Sequence, residues 1–182
     1  LMALVKPSES MVFLLPLLWG VTSWQTFKEK ISLIFRDKKA ILIMLLMAVA
    51  MAAPQIYYWH SRSGHFVYDT YKNPGVGLDV FSPHIIDVLF SYRKGWFVYT
   101  PLMICSLIGL YHVKKNNPKI FYAITIYGAI SFYIICSWSY WFYGAAFSCR
   151  PVITLYPLLA ISFGYFLLWL KEKNTTLKGA FA

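Results

Sequence analysis

Long stretches without charge constrain this chain more than anything else in it. Ala40 to Tyr58 contains no Asp, Glu, Lys or Arg, and the runs Phe97 to Val113, Ile120 to Trp138 and Pro151 to Leu170 repeat the pattern. At about 1.5 Å of rise per helical residue, each is near the length needed for a hydrocarbon core of roughly 30 Å. Hydrocarbon offers no partner to backbone donors and acceptors, so uncharged runs of this length predict helices. The expected fold class is all-α, a polytopic membrane helix bundle with about four transmembrane helices plus interfacial amphipathic helices, in a single transmembrane domain over 1–182. Composition agrees, at 59% hydrophobic, 19% aromatic and only 13% charged.

The net charge of +10 does not point to nucleic acid, because the basic residues sit in short clusters between apolar runs rather than along one stripe. They report orientation instead. Lys6, Lys28, Lys30, Arg36, Lys38, Lys39, Lys114, Lys115, Lys119, Lys171, Lys173 and Lys178 fall on one face; Arg62, Lys72, Arg93, Lys94 and Arg150 fall on the other. The richer face is expected to be cytoplasmic, which places the loops 59–96 and 139–150 outside a cytoplasmic membrane. Cys105, Cys136 and Cys149 lie in or beside apolar runs with no zinc-like spacing.

Ahead of the first run, Leu1 to Val5 is too short to span and ends at Lys6-Pro7. From Met11 to Phe35, Leu14, Leu17, Leu18, Val21, Trp24, Phe27, Ile31 and Ile34 recur at helical spacing against a polar side running from Thr22 to Lys30. Within the cytoplasmic segment 11–39 this predicts one interfacial helix, with a short span from Met11 to Trp24 as the rival. In the long outer loop, Ser82-Pro83 predicts a helix start and Gly95 its stop. Ile85, Ile86, Val88, Leu89 and Tyr92 would form its apolar face, and His84, Asp87, Ser91 and Lys94 its polar one. Trp96 to Pro101 then reads as an aromatic collar at the start of a span.

No Asp, Glu, Lys or Arg lies within the four runs, and the only histidine is His112 at a cytoplasmic end, which argues against a proton- or ion-coupled carrier. Chemistry is confined to the outer loops. Asp69, Asp79 and Asp87 have the carboxylates that a general base or a divalent metal needs, although solvated loop carboxylates look the same in sequence. His60 and His65, with His84 further on, could supply metal nitrogens, although five residues apart in a loop is a weak pattern and surface histidines look the same in sequence. Arg93, Lys94 and Arg150 form a more specific set, since each stands at the end of a span on the face where positive charge is disfavoured. A lipid phosphate there would give the reason, with snorkelling to ordinary headgroups as the alternative. Trp138, Tyr140, Trp141, Phe142, Tyr143 and Phe147 crowd the loop before Arg150, suited either to stacking on sugar rings or to anchoring helices at the interface.

Three blocks carry a resemblance: PQIYYWHSRSGHFVYDTYKNPG (Pro54 to Gly75), SPHIIDVLFSYRKGWFVYTPLM (Ser82 to Met103) and SWSYWFYGAAFSCRPVI (Ser137 to Ile153). In order and spacing they resemble the carboxy-terminal half of bacterial membrane glycosyltransferases of the GT-C superfamily, relatives of protein mannosyltransferases and of lipid A aminoarabinose transferases. The resemblance implies a polyprenyl-phosphate-linked sugar as donor, membrane lipid around the site, and transfer on the outer face of the bacterial inner membrane. It also implies that the catalytic acid lies in an amino-terminal part absent from this chain, so the catalytic residue here is unknown. Arg150, Arg93, Lys94, Tyr68, Asp69 and Trp141 are the expected lipid-phosphate and sugar contacts, with no cofactor assigned and a divalent metal admissible. Such relatives read Tyr-Gly-Gly-Ser-Phe-Gly before the arginine, where this chain has Tyr143-Gly144-Ala145-Ala146-Phe147-Ser148-Cys149. The competing expectation is a non-catalytic scaffold or a carrier of lipid-linked sugar.

Overall fold

The computed structural model describes residues 7–66 and 76–180. Among them the only strand-like pairing is an isolated bridge between Leu78 and Trp138; the regular structure is helical, giving an all-α membrane bundle. The chain divides into two compact units, Leu1–Pro74 and Gly75–Ala182.

In the first unit a 3-10 turn (Pro7–Phe13) leads into α1 (Leu14–Leu18), and α2 (Trp24–Arg36) follows. The helix expected without interruption from Met11 to Phe35 is therefore broken, and the rival span from Met11 to Trp24 does not form either. Gly20 is left-handed at φ 81° and Ser23 is extended at φ −145°, neither of which fits inside a helix. Ser23 and Thr26 then build a capping box that starts α2 afresh. Lys30 Nζ ties the pieces together by donating to the carbonyls of Pro16 and Trp19, at 2.7 and 2.5 Å.

After Asp37 comes α3 (Lys38–Ser63), longer than the expected Ala40 to Tyr58 at both ends. The Asp37 carboxylate accepts from the Ala40 amide at 3.1 Å, and Gly64, at φ 72°, donates back to the His60 carbonyl. His60 and Arg62, assigned by sequence to a loop, lie in its last turn. Pro54 sits inside α3 without ending it.

The second unit contains α4 (Ile85–Phe90), α5 (Trp96–Tyr99), α6 (Leu102–Asn116), α7 (Pro118–Cys136), a 3-10 turn (Arg150–Leu155) and α8 (Tyr156–Ala180). Three helical segments among the described residues are long and apolar enough to cross a membrane: α3, α7, and Arg150–Asn174. The fourth expected span, Phe97 to Val113, is split. Pro101 offers no amide hydrogen and keeps Thr100 out of helical conformation, so Thr100 closes α5 by donating its hydroxyl to the Trp96 carbonyl at 2.6 Å. α6 then starts afresh with 15 residues.

α6 and α8 run parallel, as the order of three contacts along the chain shows. Trp96 Nε1 donates to the Tyr156 hydroxyl at 3.2 Å, Gly109 faces Ser162, and His112 stacks on Trp169 at 4.9 Å. At the middle contact a Cβ on Gly109 would collide with the Ser162 carbonyl oxygen, so only glycine permits the crossing. α7 returns antiparallel after a turn at Asn117. Lys114, Lys115, Lys119, Lys171 and Lys173 thus belong to one end of this unit, and Arg93, Lys94 and Arg150 to the other.

Candidate functional site

The end of the second unit that carries Arg93 and Arg150 is built by pairing two distant segments. The Asp79 amide donates to the Ser137 carbonyl at 2.6 Å, the Ser139 amide to Gly77 at 3.0 Å, and the His84 amide to Cys136 at 2.8 Å. Tyr133 adds its hydroxyl to the Val80 carbonyl at 2.6 Å. Residues 76–84 are thereby laid along the start of the loop that ends in Arg150.

α4 is shorter than the expected Ser82-to-Gly95 helix. Ser82 does not cap it; His84 stands at the N-cap position without a side-chain bond, and the helix stops at Ser91, whose hydroxyl accepts from the Arg93 amide. Gly95 is the N-cap of α5 rather than a helix stop. A Cβ there would strike the Ser91 backbone, so the residue is fixed by close approach. Of the expected apolar face, Val88 is buried, while Ile86 and Tyr92 are largely exposed. Trp96 is buried as well and packs on Phe97 and Phe132, so the head of the supposed collar is a core residue.

This turn aims α4 and its flanks at the aromatic loop. The Arg93 guanidinium lies 3.9 Å from the centre of the Phe142 ring, a cation–π pair. His84 stands 6.3 Å from the Trp141 ring centre, and its Nδ1 is 3.5 Å from an Asp87 carboxylate oxygen. Of the residues expected to bind ligand, Arg93 and Trp141 are therefore brought to one surface. Lys94 is half-buried beside them in sequence, Arg150 is exposed at the end of the same loop, and Tyr68 and Asp69 lie outside the described residues. Asp79 and Asp87 are exposed. No cluster of three metal-binding side chains occurs among the described residues.

Sequence reasoning did not single out Ser148. It adopts φ 50°, in the left-handed region that favours glycine, at the position where the resembled pattern carries its last glycine. Its hydroxyl is buried without a hydrogen-bond partner among the described residues. Tyr143 is also left-handed, at φ 47°, and donates its hydroxyl to the Ile135 carbonyl at 2.8 Å. Burial, reinforced by the Cys149 and Cys136 thiols, raises its pKa. Burial pushes the Cys149 thiol up to about 11, against a weaker opposing bond with the Val152 backbone, so it stays protonated at neutral pH. The end of the loop at Ser148 and Cys149 is thus buried and locally strained, while Tyr140, Gly144, Ala145 and Phe147 stay exposed.

Directly inside this surface is a cavity of about 330 Å³, lined by Leu89, Trp96, Phe97, Leu107, Leu110, Ile124, Thr125, Gly128, Ala129, Phe132, Leu155, Leu158 and Leu159. Its walls are apolar and come from α4 through α8. Leu89 and Trp96 flank Arg93 in sequence, and Leu155 follows Arg150 by little more than a turn.

Comparison with protein-family models, curated proteins and solved structures gives no match to this chain.

Proposed function

We propose that this chain is part of a glycosyltransferase that moves a sugar from a polyprenyl-phosphate donor to an acceptor on the outer face of the cytoplasmic membrane. One observation carries the reading: the exposed Arg93 and the rings of Trp141 and Phe142, with exposed Arg150 at the same end, stand at the end of a bundle that has a half-open apolar pocket between its helices. An amphiphile with an anionic head and a hydrocarbon tail matches both halves. Arginine can bind phosphate through two parallel donors, and ring faces suit the apolar faces of a sugar. The left-handed Ser148 adds support, because the resembled motif has glycine there. The basic residues at the far end of the bundle favour the same orientation.

Arg150 supplies the test. In the full-length protein, polyprenyl phosphate should bind and the matching alcohol should bind far less. Arg150→Lys keeps the charge but loses the paired donors, so affinity should fall about ten-fold or more, and Arg150→Ala should fall further. Wild-type affinity in Arg150→Ala, with folding verified, would remove the phosphate site. Binding without sugar transfer by the full-length protein would favour the carrier or scaffold.

A further inference from the structure

We infer that α2 is a docking helix for a bilayer surface rich in anionic lipid, lying along the membrane beside the start of α3. Four observations in the first unit carry this, and none depends on the glycosyltransferase reading.

The first is the helix itself. At 100° per residue Trp24, Phe27, Ile31, Ile34 and Phe35 fall on one side of α2, with Gln25, Glu29, Ser32 and Arg36 opposite. Leu33 and Lys28 depart from this division, Leu33 lying on the polar side and Lys28 at the edge of the apolar one. The second is that the apolar stripe is largely uncovered: no residue of α2 is buried, Phe27 and Ile31 are half-buried, and Trp24, Ile34 and Phe35 are 69%, 39% and 65% exposed. Water is a poor environment for such a stripe, and in a chain with a spanning helix next door a bilayer boundary is the nearest apolar phase.

The third is continuity. Only Asp37 separates α2 from α3, the longest of the membrane-spanning helices, so the end of α2 is held at the level where α3 enters the bilayer. At about 1.5 Å per residue, the 13 residues of α2 extend some 20 Å from that point. The fourth is charge. Lys28 borders the stripe, and Lys38 and Lys39 follow it at the start of α3, against Glu29 and Asp37. Lys28 reaches over the Trp24 ring at 5.6 Å, joining the cationic and apolar parts of the surface. Lys30 is already committed to the carbonyls of Pro16 and Trp19, and through it α2 holds the preceding turn. Lysine and arginine at the headgroup level favour phosphate-bearing anionic lipids over zwitterionic ones.

The test is amide hydrogen exchange across residues 25–36 of the full chain. It is run in nanodiscs of phosphatidylcholine alone and of phosphatidylcholine with about a third phosphatidylglycerol. Protection should be roughly ten-fold or more greater with the anionic lipid and should shrink as salt is raised. The double change Lys28→Gln and Lys39→Gln should remove that increment, while amides beyond the first turn of α3 keep their protection. Phe35→Asp, at an exposed position, should abolish the protection of α2 in both lipids. Equal protection in the two lipids would overturn the anionic preference. Protection that survives Phe35→Asp would show that another part of the protein or a second copy covers the stripe, and would overturn the docking itself.

Discussion

α3 and α8 differ by one residue in length, 26 against 25, and both belong to segments apolar enough to cross a membrane. Their packing within their own units differs. α3 has no buried residue and is defined by its ends, Asp37 at the start and left-handed Gly64 at the finish. α8 buries Leu159 and Ser162 and is approached so closely by α6 that Gly109 has no room for a side chain. Hydropathy places both helices in hydrocarbon but says nothing about which will pack against protein. In a membrane the apolar surroundings offer little hydrophobic drive for helices to meet, so close backbone approach at small residues makes the difference.

The sharpest way to break this comparison is to put the same side chain on both helices' surroundings. Gly109→Leu should force α6 from α8 and cost about 3 kcal/mol or more, as overpacking against backbone that cannot yield. Ala50→Leu, at an exposed site on α3, should change stability by less than about 0.5 kcal/mol. Denaturant titration in detergent micelles reads both, and equal effects would mean that α3 is packed as tightly as α8.

Alkaline titration is a second probe, directed at the buried end of the loop before α8. The Cys149 thiol is raised from 9.0 to about 11, so its stabilising contribution is complete below pH 9 and declines as pH climbs through 11. The loss is about 2 to 3 kcal/mol at most, by linkage at 1.36 kcal/mol per pH unit. Cys149→Ala should lack that part of the pH dependence. An identical alkaline profile in the variant would show that the thiol is not held protonated by the fold.

Ser148→Gly should be a smaller and opposite effect, stabilising by about 1 kcal/mol, because it relieves left-handed strain and removes a buried hydroxyl without a partner. A destabilised Ser148→Gly protein would mean that the hydroxyl is engaged. Smallest of all, Phe142→Leu should weaken the loop by about 0.5 to 1 kcal/mol, the value of an exposed cation–π contact with Arg93. A double-mutant cycle with Arg93→Gln isolates that coupling, and zero coupling would separate the two segments that form the candidate surface.

Residues 40–58, 120–138 and 151–170 could be read as membrane helices from sequence because each run's own composition is the signal. No distant partner is needed to exclude charge from hydrocarbon. The break before α6 was also marked locally, by Thr100-Pro101, although an uncharged run concealed it. Likewise Gly20 stood inside the apparent periodicity of Met11 to Phe35, and only its positive φ showed that the chain turns there. In the candidate site, Arg93, Lys94, Arg150 and Trp141 could be named from charge and position, since cations at the ends of spans are conspicuous.

Sequence alone therefore determined that this protein is helical, that it has segments suited to a membrane, and that its cations gather between them. Tertiary structure decided what those groups face. The docking of Asp79 on Ser137, of Arg93 on Phe142 and of Gly109 against Ser162 joins residues tens of positions apart, and so does the half-open apolar pocket lined from α4 to α8. Periodicity is a property of neighbours in the chain; such contacts arise only once separate segments share one space.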